Sequence, residues 1–353
     1  MPQKTNRIGI VGMGPVGSIL AAHLKEAGLD VAICDLDKLK MNLVKAEGII
    51  LEGVMNKKVF FKNVFTSLSE FETFKPDLIF VCVKTTQLPL LVRDIAAMQH
   101  DKSGIVCAMN GIDVEKMISG VIGDSRTYRM VINFAGNLNA PNVTRVTFFN
   151  PPNYIASMDD SGMEVVGEIA GILSGAGIET KAHTSFEILR RVWEKTILNS
   201  SLSALCAVGR MTIKEAMSNA DTVELVEQII EEAVEVAAAE KIKFDDDFSR
   251  KCLRYLHKAG NHFPSLAVDL LNNRPTEIDF MNGKIVEYGR KHYIRTSLNL
   301  TFSNMVKAIS NKNYTSLVNT ARTALDQRKP VTENGKTGQA TPSMDCFLGI
   351  DLG

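Results

Sequence analysis

The chain of 353 residues is long enough for two domains, because single domains commonly hold roughly 100–200 residues. Its 45% hydrophobic and 23% charged residues are typical of a globular protein and exclude a disordered or fibrous one. Lys plus Arg and Asp plus Glu both total 40, so no global field would attract nucleic acid or an anionic membrane. These features favour a small molecule as the partner.

The amino-terminal segment and the cysteines bear on the cellular compartment. No charged-then-apolar signal precedes the run at residues 7–11, and no apolar run approaches membrane-spanning length. The six cysteines are scattered without a C-x-x-C pair, which favours reduced, buried thiols. The sequence therefore predicts a cytoplasmic protein with no membrane partner.

Apolar runs in the first half predict a Rossmann-like, doubly wound α/β domain over residues 1–183. Residues 7–11, the helix-like residues 16–27 and the run 30–34 form one βαβ unit. Further runs are separated by mixed or helical segments, as in a mostly parallel sheet with covered faces. These runs occupy residues 77–83, 104–109, 128–134 and 143–149.

The second half predicts an all-α domain over residues 184–325, because helical patterns follow one another and runs of β-branched residues disappear. Breaks between the helices are expected at Gly209, Pro264, Pro275 and the polar stretch 293–297. The predicted helices cover residues 185–207, 221–241, 246–259, 265–273, 277–291 and 298–311. Residues 326–353 lack clear periodicity and are predicted to be a poorly ordered C-terminal tail.

A glycine-rich turn lies between the first predicted strand and the first predicted helix. It has the G-x-G-x-x-G spacing of dinucleotide-binding folds and consists of Gly12, Met13, Gly14, Pro15, Val16 and Gly17. The first glycine makes the turn, the second admits the pyrophosphate, and the third lets helix and strand pack closely. The turn alone indicates a nucleotide and no particular reaction, because flavin or S-adenosylmethionine can use the same pattern.

Three polar residues follow apolar strands of the predicted sheet. A carboxylate at Asp35 would accept hydrogen bonds from ribose hydroxyls and repel a 2′-phosphate, which favours NAD(H) over NADP(H). A turn or cap role beside Asp37 is the alternative. Lys84 and Asn110 stand where an open α/β sheet holds its ligand, although exposed turn residues would give the same pattern.

The longest predicted helix carries a polar stripe on a largely apolar surface. Lys195, Asn199 and Ser203 recur at i, i+4 and i+8, so a charge and two hydrogen-bonding groups face one place. Buried polar groups need partners, and a bound substrate is one candidate. The alternative is a lysine whose ammonium reaches water beside two packing residues. Ser265 and Glu277 stand near predicted helix starts, where capping roles would also explain them.

The ordered set of motifs resembles the ketopantoate reductase family (2-dehydropantoate 2-reductases), and the resemblance extends to about residue 310. Its motifs are GMGPVG, Val83-Lys84, Asn110-Gly111, Trp193-x-Lys195-x-x-x-Asn199, Ser265 with Asp269, and Thr276-Glu277-Ile278-Asp279 with Asn282-Gly283. The resemblance implies a C-terminal domain like that of 6-phosphogluconate dehydrogenase. It also implies a function in pantothenate biosynthesis.

The resemblance further implies the chemistry. Lys195 would be the general acid that protonates the keto oxygen of 2-dehydropantoate, or a similar 2-keto acid, as hydride arrives from NAD(P)H. An ammonium group there would stabilise the developing alkoxide and supply its proton. Burial would lower the pKa of Lys195 towards neutrality.

The remaining implied roles concern binding. The carboxylate and hydroxyl of the substrate would be held by Asn199, Ser265 and Glu277. The implied catalytic residues are Lys195 and Glu277. Asn110 and Lys84 would lie near the nicotinamide and the reacting carbonyl.

Two positions depart from the pattern of the family. Ser203 stands where many members have a second substrate-binding asparagine, and Asp35 stands where many have a basic residue for the NADP phosphate. An NAD-dependent D-2-hydroxyacid dehydrogenase of the mandelate type therefore stays open. A second alternative is a non-catalytic NAD-binding protein, which Lys195, Asn199 and Glu277 argue against.

Other classes of protein receive little support. The six histidines lack a carboxylate-partnered motif, which disfavours a histidine-dependent dehydrogenase of another fold. Histidines and cysteines show no ligand spacing, so no metal is predicted. The predicted partner is a small 2-keto or 2-hydroxy acid, with no nucleic acid, and the sequence is compatible with a homodimer.

Overall fold

The computed structural model describes residues 7–98 and 102–327, with side chains as far as residue 315. The strands are β1 Arg7–Val11, β2 Asp30–Cys34, β3 Ile49–Gly53, β4 Lys57–Val59, β5 Asn63–Phe65, β6 Leu78–Val81, β7 Gly104–Cys107, β8 Thr127–Val131, β9 Phe134–Ala140, β10 Val143–Phe149, β11 Asn153–Ser157 and β12 Thr180–Ala182. The helices are α1 Pro15–Glu26, α2 Lys38–Glu47, α3 Leu68–Phe71, α4 Leu88–Ala97, α5 Val114–Ile122, α6 Met163–Gly175, α7 Ser185–Gly209, α8 Ile213–Met217, α9 Ala220–Ala239, α10 Phe248–His257, α11 Ser265–Leu271, α12 Asn282–Lys291 and α13 Ser297–Gln327.

An eight-stranded sheet in the order β12-β11-β8-β7-β6-β1-β2-β5 forms the centre of the α/β part. Its neighbouring strands run parallel except for β8 and β11. Strand β6 at the centre of the sheet is apolar along its whole length because helices cover both faces, and all of Leu78–Val81 is buried. The predicted Rossmann-like fold class is confirmed. The parallel strands present their carboxyl ends at one edge, where such folds bind ligands.

A second sheet, in the order β4-β3-β10-β9, packs against α1. The prediction that residues 143–149 belong to the main sheet is therefore wrong: β10 pairs antiparallel with β9 and parallel with β3. Burial alternates along β10, with Thr144 and Val146 inside and Arg145 exposed. Such alternation is typical of a sheet covered on one face only.

The helical part begins with α7, the long central helix. Thr184 accepts a hydrogen bond from the Glu187 N–H, and the Glu187 carboxylate accepts one from the Thr184 N–H, so a capping box sets the start of the helix. Helix α7 packs against α9 and α11 on one side and against β8 and β11 on the other. Because both sides are covered, apolar residues surround most of the helix. The predicted all-α second part is confirmed.

One predicted helix is interrupted in the structure. The sequence predicts a continuous helix over residues 277–291, which is wrong: a 3₁₀ turn at Ile278–Phe280 precedes α12. The Phe280 carbonyl accepts a hydrogen bond from the Ile112 N–H at 3.0 Å. The hydrogen-bond partner of this carbonyl therefore lies outside the helix. Helix α13 also continues beyond the predicted end at residue 311.

Several further expectations concern the chain as a whole. The predicted tail lies outside the described residues from residue 328 onward, and the domain bounds at residues 183 and 325 stay predictions. The five cysteines in the described ranges have free thiols. Within those ranges no helix combines the length and the apolar character that a bilayer crossing requires.

Candidate active site

The glycine-rich turn joins β1 to α1 at the carboxyl edge of the main sheet. Gly12 has φ +94°, and a Cβ on it would lie 2.7 Å from the Val83 nitrogen. A Cβ on Gly17 would collide with the Gly12 carbonyl oxygen, whereas one on Gly14 would meet nothing within 4 Å. Two glycines are thus required by packing and one leaves an open approach to the start of α1. This shape suits a pyrophosphate group.

Asp35 follows β2 and faces the glycine turn. Its Oδ2 accepts hydrogen bonds from the Met13 N–H at 2.7 Å and from Lys40 Nζ at 3.1 Å. Asp37, in contrast, accepts from the Lys40 N–H at 3.0 Å and caps α2. The cap role considered for Asp35 therefore falls to its neighbour, whereas the turn role is present: Asp35 Oδ1 accepts a hydrogen bond from the Asp37 N–H at 3.0 Å. Lys40 is not among the predicted site residues, because the contact arises only when α2 folds back towards the turn.

Lys84 and Asp269 link the α/β part to the helical part. Lys84 Nζ donates to Asp269 Oδ2 at 2.6 Å, and Arg274 Nε lies 3.1 Å from Asp269 Oδ1. Asp269 is buried in α11, whereas Lys84 stays exposed at the end of β6. The two elements therefore meet at the carboxyl edge of the sheet.

Glu277 is buried at the same edge. Its Oε1 accepts from the Thr85 N–H and lies within hydrogen-bond distance of the Thr85 hydroxyl, both at 2.9 Å. The Thr85 hydroxyl is also 2.9 Å from the Asn110 carbonyl oxygen. The side-chain oxygen of Asn110 is buried and has no hydrogen-bond partner among the described residues. Its capacity to accept a hydrogen bond is therefore unused among the described residues.

Lys195 extends from α7 to the end of β8. Its Nζ donates to the Ile132 carbonyl oxygen at 2.6 Å. Burial lowers the pKa of Lys195 to about 7, the charge of Arg129 lowers it too, and the charge of Glu277 opposes both. A lysine that is partly protonated near neutral pH can both donate and accept a proton.

The other predicted substrate residues lie on α7 and α11, which pack against each other. Asn199 and Ser203 stand one and two turns after Lys195 on α7, and Ser203 is buried. Ser265 is exposed at the first residue of α11. The structure thus places these groups on two adjacent helices and brings Lys195, Glu277, Lys84 and Asn110 to one edge of the sheet.

Sequence reasoning misses a buried ion pair behind this edge. Arg129 on β8 and Glu115 on α5 are 3% and 0% exposed, and Arg129 Nε lies 3.5 Å from Glu115 Oε2. Arg129 also donates from Nη2 to the Gly111 carbonyl oxygen at 2.9 Å. The signal for this ion pair in the sequence is the charge of Arg129 within the otherwise apolar run at residues 128–134.

The fold and the site define a dinucleotide-binding oxidoreductase with an α/β part and a helical part. Residues 8–160 match the sequence profile of the family described as Ketopantoate reductase PanE/ApbA, and residues 187–310 match that of its C-terminal part. The chain therefore belongs to the ketopantoate reductase family. The predicted family and enzyme class are confirmed.

Individual relatives agree with this assignment. The chain is 28% identical to the 2-dehydropantoate 2-reductase of Streptococcus pyogenes serotype M1 over 289 residues, which cover 81% of this chain and 92% of the relative. It is 27% identical to that of Aquifex aeolicus (strain VF5) over 307 residues, 85% of this chain and 95% of the relative.

Solved structures share the fold. The ternary structure of D-mandelate dehydrogenase with NADH and anilino(oxo)acetate has a TM-score of 0.78 at 24% identity and covers 87% of this chain and 99% of that one. The ketopantoate reductase from Ralstonia eutropha JMP134 has a TM-score of 0.77 at 22% identity, with the same two coverages.

Proposed function

We propose that this protein is an NAD(P)H-dependent reductase that converts 2-dehydropantoate, or a closely related 2-keto acid, into the 2-hydroxy acid. The observation that carries the proposal is the position of Lys195, whose Nζ lies at the end of β8. Burial lowers the pKa of this group to about 7. The curated relatives named above support the choice of substrate.

The cofactor would be held by residues of the α/β part. The turn from Gly12 to Gly17 and the start of α1 would bind the pyrophosphate, and Asp35 the adenosine ribose. Lys84 and Asn110 would lie on the nicotinamide side, where Asn110 offers a buried side-chain oxygen. When bound, the reduced dinucleotide supplies the hydride.

Lys195 would supply the proton. Hydride addition to the keto carbon turns the ketone oxygen into an alkoxide, and the Lys195 ammonium donates one proton to that oxygen and becomes a neutral amine. In the oxidative direction the amine accepts the hydroxyl proton. Glu277 contributes a negative charge that favours the ammonium form.

Asn199, Ser203 and Ser265 would bind the substrate carboxylate and hydroxyl from α7 and α11. Ser203 is shorter than the asparagine common in the family, and we expect it to suit a different, larger acid. That feature favours, as a second candidate, an NAD-dependent D-2-hydroxyacid dehydrogenase.

A substrate panel tests the proposal. Initial rates would be measured with 2-dehydropantoate, 2-ketoisovalerate and phenylglyoxylate, each with NADH and with NADPH. We expect the largest kcat/KM for 2-dehydropantoate. A larger value for phenylglyoxylate would establish the second candidate, and no turnover of any 2-keto acid would overturn both.

We expect the kcat/KM of reduction and the kcat/KM of oxidation to change in opposite directions near neutral pH. Reduction needs the Lys195 ammonium, so its kcat/KM should fall as pH rises through about 7, the pKa of that group. Oxidation needs the neutral amine, and its kcat/KM should rise over the same interval. Rates in both directions between pH 5.5 and 9 would show this, with NADH affinity measured at each pH as the control. A reduction profile with no midpoint near 7, or the same midpoint in Lys195→Arg, would contradict the assignment of Lys195.

We also propose that NAD(H) is preferred, because a carboxylate at Asp35 would repel a 2′-phosphate. Asp35→Asn keeps an acceptor for the Met13 N–H but loses the charge, and should reduce the NADH to NADPH affinity ratio about tenfold. Lys40→Met removes the cation 3.1 Å from Asp35 and should increase the same ratio. Fluorescence titration with each cofactor measures both. Unchanged ratios in both variants would remove Asp35 from cofactor selection.

The homodimer and the cytoplasmic location stay predictions. One solved structure of similar fold is described as the dimeric ketopantoate reductase from Staphylococcus aureus, at 18% identity. Light scattering on the purified protein would give the molar mass in solution.

A further inference from the structure

Arg129 occupies an unusual place for a charged residue. It lies in the middle of β8, between Cys107 of β7 and Ala156 of β11 in the register of the sheet, and is 3% exposed. Its strand neighbour on the same face, Val131, packs into the hydrophobic core of the helical part. The guanidinium group is therefore buried between the sheet and the helices. Burying a charge is costly unless it is well paired.

The pairing of Arg129 is incomplete. Nη2 donates to the Gly111 carbonyl oxygen at 2.9 Å, but Nε is 3.5 Å from Glu115 Oε2, and Nε and Nη1 have no hydrogen-bond partner among the described residues. Both carboxylate oxygens of Glu115 are likewise unpartnered by hydrogen bonds within the described chain. Burial raises the pKa of the Glu115 carboxyl, and the charge of Arg129 opposes that effect. A positive field therefore persists around the guanidinium group.

Lys195 lies within reach of that field. Its Nζ is bound to the carbonyl oxygen of Ile132, three residues after Arg129 along the chain. A strand advances about 3.3 Å per residue, so Arg129 and the Ile132 carbonyl that holds Lys195 lie within roughly 10 Å of each other along the backbone. Like charges that share one largely buried region repel each other more than they would in water. The charge of Arg129 accordingly lowers the pKa of Lys195, after burial itself.

The elements packed against α7 carry other charges, and on α11 Asp269 pairs with Lys84 and Arg274. Glu277 faces it from the segment after α11 and favours the ammonium form. On α7 itself, Arg191 and Glu194 pair with each other at 2.9 Å. Glu115 stands behind Arg129 on α5. Arg129 is thus the cation that acts on Lys195 from the sheet.

We propose that Arg129 is a positioning residue of the active site, whose buried guanidinium holds the Gly111 turn through its carbonyl oxygen and places a positive charge near the Lys195 ammonium. This inference rests on the proposed function of Lys195 as the proton donor. Arg129 contacts neither substrate nor cofactor in this scheme and acts only through Lys195 and the Gly111 carbonyl.

The test compares Arg129→Met with Arg129→Lys in the full-length protein. Removing the charge should move the midpoint of the kcat/KM profile for reduction upward by about one pH unit, because Lys195 then keeps its proton to higher pH. Arg129→Lys keeps the charge and should keep the midpoint while losing the hydrogen bond from Nη2 to the Gly111 carbonyl oxygen. If the role of Arg129 is purely structural, both variants should lose kcat while the midpoint of the pH profile stays unchanged. This result would overturn the proposal.

A second variant covers the case in which Arg129→Met does not fold. Glu115→Gln keeps the shape of the side chain and removes the countercharge of Arg129, so the midpoint should move downward. If Arg129→Met is unfolded by circular dichroism and Glu115→Gln leaves the midpoint in place, the proposal fails.

An activity-free measurement separates this inference from the proposed function. The NMR signal of the Lys195 ε-carbon, assigned by its loss in Lys195→Met, reports the protonation of the amine directly. A shift of its titration in Arg129→Met supports the electrostatic effect even if no 2-keto acid is turned over. An unshifted titration beside normal wild-type turnover overturns the inference and leaves the proposed function standing.

Discussion

Replacement of Lys195 by alanine is expected to lower kcat for 2-keto acid reduction about 10²–10⁴-fold, the usual contribution of a general acid. The physical reason is that hydride addition leaves an alkoxide, which the truncated site can neither stabilise nor protonate. The measurement is single-turnover reduction monitored by loss of NADH absorbance. NADH affinity should stay within about twofold, because the glycine turn that would bind the cofactor lies on other elements.

Two further variants make the result specific. Lys195→Arg keeps a positive charge, but a guanidinium does not release its proton at accessible pH, so this variant should stabilise the alkoxide without protonating it and recover little activity. Lys181→Ala removes an exposed lysine of β12 and should have wild-type kcat. Substantial turnover by Lys195→Ala would mean that another group donates the proton, and the scheme would then have to be abandoned.

Local features of the site are readable from the sequence because their parts are adjacent in the chain. The turn from Gly12 to Gly17 needs only its own residues and the ends of β1 and α1 to adopt its shape. The stripe of Lys195, Asn199 and Ser203 follows from helical periodicity alone. In both cases, the local spacing that predicts the feature also produces it.

Features that depend on contacts between distant parts of the chain cannot be predicted from the sequence pattern. The four-stranded sheet forms because β3 and β10, more than ninety residues apart, pair over α1; neither strand alone indicates its partner. The partners of Glu277 illustrate the same limit, since Thr85 lies 192 residues away along the chain. The charge of Arg129 interrupts the apolar run YRMVINF, but the run does not reveal that Glu115 and Gly111 lie beside it.

Gly14 and Gly17 are expected to respond in opposite ways to the same added methyl group. A Cβ at residue 14 meets nothing within 4 Å, so Gly14→Ala should fold with wild-type stability. The methyl group would nevertheless occupy the approach to the start of α1, and NADH affinity should fall at least about tenfold, or about 1.4 kcal/mol. Fluorescence titration with NADH and thermal unfolding without cofactor measure the two quantities.

Gly17→Ala places the same group against the Gly12 carbonyl oxygen, a backbone atom that cannot rotate away. The strand and the helix must separate, and we expect a loss of about 1–3 kcal/mol in the free energy of unfolding, as for other overpacked sites. Gly167→Ala, on the open side of α6, is the matched control because a Cβ there also meets nothing within 4 Å. If Gly14→Ala binds NADH normally, the pyrophosphate does not approach this turn, and the cofactor must lie elsewhere even though the fold is intact.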